Sequence, residues 1–223
     1  MSDDSFIREV NEELRQEQMR ALGRRYGPIA IVLAVLVVLA TVAWVAYDHW
    51  STSRANASGD RFAQALELAE EGNSDEALKI LDELETSGFG AYPVMARLRA
   101  ATTLADSGDT EAAIAKFDEV ANSSSVPAAI RDMARLRAAL LLVDHGSYAD
   151  VAARVETLSA DSNPMRHLAR EAMALAAWKE GNRENALSLF GQVADDEQAP
   201  AGARQRAEMM MDLISGSTPG ESG

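Results

Sequence analysis

Three histidines are the only side chains of this sequence that titrate near neutral pH, and there is no cysteine. Thiol nucleophiles, disulfides and thiolate metal sites are thereby excluded. His49 follows a long apolar stretch, and His145 stands beside Gly146 as a cation at a helix end. His167 lies in the densest polar group, with Arg166, Arg170 and Glu171 around it. Such a cluster could move a proton or pair charges. No nucleophile or third oriented group accompanies it, so capping and ion pairing are its expected work. Glycine-rich phosphate loops and metal-ligand motifs are missing as well. The sequence therefore predicts no catalytic residue, metal or cofactor, and a protein that is not an enzyme.

A second set of charges is periodic. Arg61, Arg97, Arg135 and Arg170 each stand eleven residues before a glycine, and Asp82, Asp118 and Glu156 stand ten after one. The pattern predicts a structural ladder of ion pairs between the helices of a unit or of neighbouring units. A row of arginines gripping the carboxylates of a bound chain is the competing reading. The formal charge of −14 repels phosphate backbones and anionic lipid headgroups, which excludes nucleic acid as a partner.

The elements that position these groups follow from hydrophobic periodicity. Residues 28–47, Pro28 to Tyr47, carry no charge and as a helix would cover roughly 30 Å, the thickness of a bilayer core. Trp44, Tyr47 and Trp50 stand where an interfacial aromatic belt would lie. Arg20, Arg24 and Arg25 precede this span while Asp48 and His49 follow it, which predicts a cytoplasmic N-terminus and an external C-terminal part. A cleavable signal ending near Ala55-Asn56-Ala57 is the alternative, but the apolar region is too long for it and the site too distant. Residues 1–27 form a charged segment in which Phe6, Ile7, Val10, Leu14 and Leu22 trace a short amphipathic helix, and residues 48–57 form a juxtamembrane linker.

Beyond the linker the chain repeats itself. Gly72, Gly108, Gly146, Gly181 and Gly216 recur at intervals of 35 to 38 residues, a period that marks a solenoid. Ala65, Ala101, Ala139 and Ala174 precede the first four by seven; Ala77, Ala113, Val151 and Ala186 follow them by five. Small residues at these places let two helices approach closely. Leu81, Phe117, Val155 and Phe190, then Leu84, Val120, Leu158 and Val193, supply an i, i+3 apolar stripe on the second helix. Each turn glycine is expected to end the first helix in the left-handed conformation, with Asn73, Asp109, Ser147 or Asn182 capping the second. Pro93, Pro127, Pro164 and Pro200 open the following units. Residues 58–216 are thus read as four helix pairs followed by a capping helix from about 200 to 215, with 217–223 a disordered tail.

This pattern resembles tetratricopeptide repeats, although the tryptophan and tyrosine expected in their first helix are absent. The fold expected is all-α: one transmembrane helix, then a right-handed α-solenoid of tetratricopeptide-like helix pairs with a C-terminal capping helix. By analogy with tetratricopeptide geometry, a protein-binding groove would draw on Met95, Leu98, Thr102, Met133, Leu136, Leu140, Leu168, Glu171, Leu175 and Trp178, about half of them core.

The whole layout further resembles the YfgM-like family of ancillary Sec-translocon subunits, most of all its alphaproteobacterial members. That likeness rests on Phe6-Ile7-Arg8-Glu9-Val10, on Ala-Arg-Leu-Arg-Ala-Ala at 96–101 and 134–139, and on Asn163-Pro164-Met165-Arg166-His167. It implies a bacterial inner-membrane protein with a periplasmic repeat domain. The implied partners are translocon subunits, periplasmic chaperones or exported chains. A self-associating scaffold of an envelope-assembly or cell-division complex is the alternative.

Overall fold

The computed structural model describes the backbone of residues 3–216 and the side chains of Arg24, Tyr26 and residues 31–216. The amphipathic stripe from Phe6 to Leu22 and the tail 217–223 lie outside the described side chains. Among the described residues every regular element is helical. The helices are α1 (Asp3–Glu70), α2 (Ser74–Ser87), α3 (Tyr92–Asp106), α4 (Thr110–Asn122), α5 (Ala128–His145), α6 (Tyr148–Val155, continued by a 3-10 turn, Glu156–Leu158), α7 (Arg166–Lys179), α8 (Arg183–Ala194) and α9 (Ala201–Gly216). Residues 48–57, read as a linker in the sequence, are helical and belong to α1.

The chain divides into two compact units, Met1–Asn56 and Ala57–Gly223. In the first, the described apolar side chains from Ile31 to Trp50 are nearly all exposed. The helix that carries them is the one among the described residues long and apolar enough to cross a membrane, with a mean hydropathy of 2.3 over an 18-residue stretch. A helix that is apolar all round and has no protein to pack against fits a lipid surrounding.

In the second unit, helices pack in sequence order. The end of α1 pairs with α2, α3 with α4, α5 with α6 and α7 with α8, and α9 lies on α8. The alanines seven residues before each turn glycine are fully buried, as are the small residues five after it. Phe117, Phe190, Leu81 and Val155 are buried in the same register. The core is therefore a chain of three clusters. One joins Ala65, Leu81 and Ala96; the second joins Ala101, Phe117 and Ala134; the third runs from Leu136 and Val155 through Ala174 and Phe190 to Ile214. No helix pair here could bury its apolar face alone, so stacking of neighbours supplies the stability.

Three of the turns are copies of one another. Gly72, Gly108 and Gly181 have φ of 84°, 90° and 81°. The residue after each donates its N–H to a carbonyl five residues back, from Asn73 to Leu68, Asp109 to Leu104 and Asn182 to Ala177. That closure satisfies the last carbonyls of the first helix and needs the left-handed conformation that glycine adopts cheaply. Gly146 corrects the sequence expectation: its φ is −119°, its N–H bonds Leu142 at 2.7 Å, and no left-handed residue is used. A Cβ there would stand 2.7 Å from Leu142 Cδ2, so close packing is what this glycine permits. Ser147 and Asp150 compensate with a reciprocal capping box. Asp109 and Asn182 cap their helices through side-chain oxygens, whereas Asn73 does not, its amide turning to Glu71 at 3.3 Å. Gly216 is the last residue of α9, the C-terminal helix that the sequence placed at about 200 to 215.

Candidate protein-binding face and the polar ties around it

Positions thirteen, ten and six residues before a turn glycine share one face of each first helix, since they are spaced i, i+3 and i+7. That face gathers Met95, Leu98 and Thr102 from α3, Met133, Leu136 and Leu140 from α5, and Leu168, Glu171 and Leu175 from α7. Met95, Leu140 and Leu168 are 42–44% exposed. Leu98, Thr102, Met133, Glu171, Leu175 and Trp178 are half-buried, Leu98, Leu175 and Trp178 against the apolar core. Leu136 is buried within the core and drops out of the face.

Polar ties link these first helices one repeat apart. Arg137 of α5 donates to Thr102 Oγ1 of α3 at 3.2 Å, and Arg206 of α9 grips Glu171 of α7 with two bonds of 2.8 and 2.9 Å. A planar guanidinium meeting a carboxylate through two parallel bonds fixes both rows in register. Glu171, read from the sequence as a groove residue, is thus occupied by the protein's own arginine. Arg99 and Arg137 form no ion pair among the described residues, and both belong to the first helices of this face. The face is therefore apolar with basic points, in a chain whose net charge is strongly negative.

The four arginines of the sequence ladder sit elsewhere, between first helices and the second helices beside them. Arg61 pairs with Glu83 at 3.0 Å, with both groups largely exposed, a geometry that contributes little. Arg97 pairs with Glu85 at 2.8 Å, and the other oxygen of Glu85 takes Lys116 at 3.0 Å, so one carboxylate ties α2, α3 and α4 together. Arg135 bonds Asp132 at 2.7 Å and donates to the Ala121 carbonyl at 3.1 Å. Arg170 donates to the Ser159 carbonyl at 3.0 Å and pairs with Asp161. Arg135 and Arg170 thus satisfy carbonyls left open where a second helix ends.

The predicted acidic partners are corrected. Asp118 pairs with Arg154 of the next unit at 2.7 and 3.1 Å, while Asp82 and Glu156 face solvent. The signal for the true pairing was present: Lys116 and Arg154 both stand eight residues after a turn glycine. Arg204, which donates to the Ala199 carbonyl at 2.6 Å, acts in α9 as Arg135 and Arg170 do in their helices. It stands twelve residues before Gly216, so the glycine register misses it by one place.

The polar cluster near His167 joins the start of α7 to the loop between α8 and α9. Arg166 bonds Asp196 at 2.7 Å and Gln198 at 3.1 Å, beside an open polar hollow of about 520 Å³ lined also by Asp161, Arg170, Gln192 and Asp195. The Arg166 guanidinium holds the Asp196 carboxyl down to about 2. His167 is buried, and its Nδ1 lies 3.5 Å from Asp196 without a hydrogen-bond partner. Burial, then Arg166 and Arg170, push its pKa below the usual 6.5, with Asp196 opposing. The folded protein therefore binds fewer protons at this site than the unfolded chain. The stability it contributes is complete above about pH 6.5 and is lost as pH falls through the lower folded-state value. We expect the melting temperature to fall between about pH 7.5 and pH 5, and to fall less in His167→Gln. An equal fall in both proteins would place the acid sensitivity elsewhere.

No three His, Asp or Glu side chains among the described residues are grouped to hold a metal ion. What the arrangement offers is a stack of helix pairs with an exposed, partly apolar face: the architecture of non-catalytic scaffolds and adaptors that bind other proteins. Residues 23–165, well over half of the chain, match the tetratricopeptide repeat-like domain, and the chain belongs to that family. Neither a curated protein nor a solved structure matches it.

Proposed function

We propose that this chain is a membrane-anchored, non-enzymatic adaptor that holds other proteins on the exposed face of its first helices. The observation that carries this reading is where its large apolar side chains remain uncovered. Beyond α1, the described large apolar residues that are exposed are Met95, Leu140, Leu168, Met209 and Leu213. The first three recur on the shared face of α3, α5 and α7. Met and Leu suit permissive recognition, since flexible apolar side chains repack around different partners. Each such contact is worth at most about 1.5–3 kcal/mol when fully buried, so binding through a few of them is weak unless several engage together.

In this reading α1 crosses the bacterial inner membrane once, with a cytoplasmic N-terminus and a periplasmic repeat domain, as the arginines before the span support. The layout shared with the YfgM-like family supports exported chains or periplasmic chaperones at the Sec translocon as the partners. The test is photocrosslinking in membranes from a benzophenone amino acid placed at Met95, Leu140 or Leu168 of the intact protein, with adducts identified by mass spectrometry. Translocon subunits, export chaperones or secretory chains are the expected adducts. Only self-adducts, or none from any of the three positions, would overturn the proposal.

A further inference from the structure

We propose that the segment held on the first-helix face is an acidic amphipathic one, whose apolar side chains meet Met95 and Leu140 while its Asp or Glu carboxylates meet Arg99 and Arg137. This inference rests on the client-binding reading of that face and adds the chemistry of the client. Arg99 stands one turn after Met95 and one before Thr102, and Arg137 stands one turn after Met133 and one before Leu140. Both arginines therefore share the face with its exposed apolar side chains.

Their charge is left over inside the folded chain. Most arginines of Ala57–Gly216 pair with a carboxylate or satisfy a carbonyl, as Arg97, Arg154 and Arg204 do. Arg99, Arg131 and Arg137 do neither, and Arg131, two residues before Met133, lies on the other side of α5. Arg137 has only the uncharged hydroxyl of Thr102. Arg99 makes no hydrogen bond, and its Nε is buried. A guanidinium in that state has lost water without compensation, so a carboxylate brought to it gains a charge-assisted bond at reduced desolvation cost.

Register explains why Arg99 is unsatisfied. It occupies the place of Arg137, nine residues before its turn glycine. Arg137 reaches back to Thr102 on the first helix before it, and Arg206 reaches back to Glu171 in the same way. On α1 the places of Thr102 and Glu171 hold Leu66 and Phe62, which offer Arg99 no acceptor. Supply is not the reason, since the chain has 35 Asp and Glu against 21 Lys and Arg. Its net charge of −14 repels an acidic segment at long range, so a preference for acid on this face can come only from arginines in direct contact with the client.

The full-length protein would be held in nanodiscs of zwitterionic lipid, which give a basic peptide no anionic headgroup to bind. The probes are two rhodamine-labelled amphipathic peptides with leucines at the same helical spacing and either glutamate or lysine at the polar places, read by fluorescence anisotropy. The wild-type protein should bind the glutamate peptide about tenfold more tightly than the lysine peptide. In Arg99→Gln with Arg137→Gln the preference should disappear or reverse. Arg137→Gln alone, an exposed change that breaks no ion pair, should remove part of it. Equal affinities in the wild type, a preference for lysine or no binding of either peptide would overturn the inference. So would an acid preference that survives in both variants with their helical circular dichroism unchanged. The crosslinks from Met95, Leu140 and Leu168 decide the adaptor reading separately: secretory or translocon adducts without an acid preference would keep that reading and sink this one.

Discussion

Truncating Phe190 to alanine is expected to destabilise the repeat domain by about 3–5 kcal/mol, the usual cost of removing a fully buried ring. Phe190 is among the largest side chains with almost no exposure, and its cluster includes Ala174 and Val193 and reaches Ile214 of α9. Those helices enclose the ring from several sides, so collapse of the cavity is limited and the loss sits near the upper part of that range. In a stack stabilised by neighbours, the damage should stay local. Hydrogen exchange should show α7, α8 and α9 losing protection while α2, α3 and α4 keep theirs. A Phe190→Ala protein that melts with the wild type would mean that the second helices are not held by this ring.

The second large effect concerns the apolar part of α1. Leu36→Arg together with Leu39→Arg should release the protein from membranes, each arginine costing about 3–4 kcal/mol relative to leucine near the middle of a span. The expected result is that the wild-type protein resists extraction at alkaline pH while the double variant appears in the soluble fraction. Both leucines are exposed in the folded chain, so neither change disturbs a protein core. Retention of the double variant in the membrane fraction would require a second anchor.

What could be read from the sequence was whatever depends on periodicity. Ala65, Ala101, Ala139 and Ala174 are buried because close helix packing demands a small residue at one register position, and such a demand leaves the same mark in every unit. The helix pairs and their order followed from that mark. Side-chain pairing was less legible because it depends on where a flexible head group ends up. Arg97 reaches Glu85, one turn beyond the Asp82 that spacing picked out, and Asp118 reaches Arg154 on the next second helix, not an arginine of the ladder. Gly146 misled for a different reason. A glycine is needed both where φ is positive and where a Cβ would collide, and the sequence writes both needs with the same residue. Leu136 and Leu140 illustrate the limit at the candidate face: both are leucines one turn apart on α5, yet one lies in the core and the other is exposed. Only the rotation of α5 against its neighbours decides which.

The same order of packing sets how the repeat domain can be made. Its helices touch those next to them in sequence, and its longer polar ties, Arg137 to Thr102, Arg154 to Asp118 and Arg206 to Glu171, span only 35 or 36 residues. No pairing has to wait for a distant part of the chain, and loops of this length close at small entropic cost. Each helix pair can therefore settle onto the one before it as the polypeptide emerges, from the N-terminal side onward. A protein built this way can acquire structure progressively during its own delivery, without first being held unfolded to its last residue.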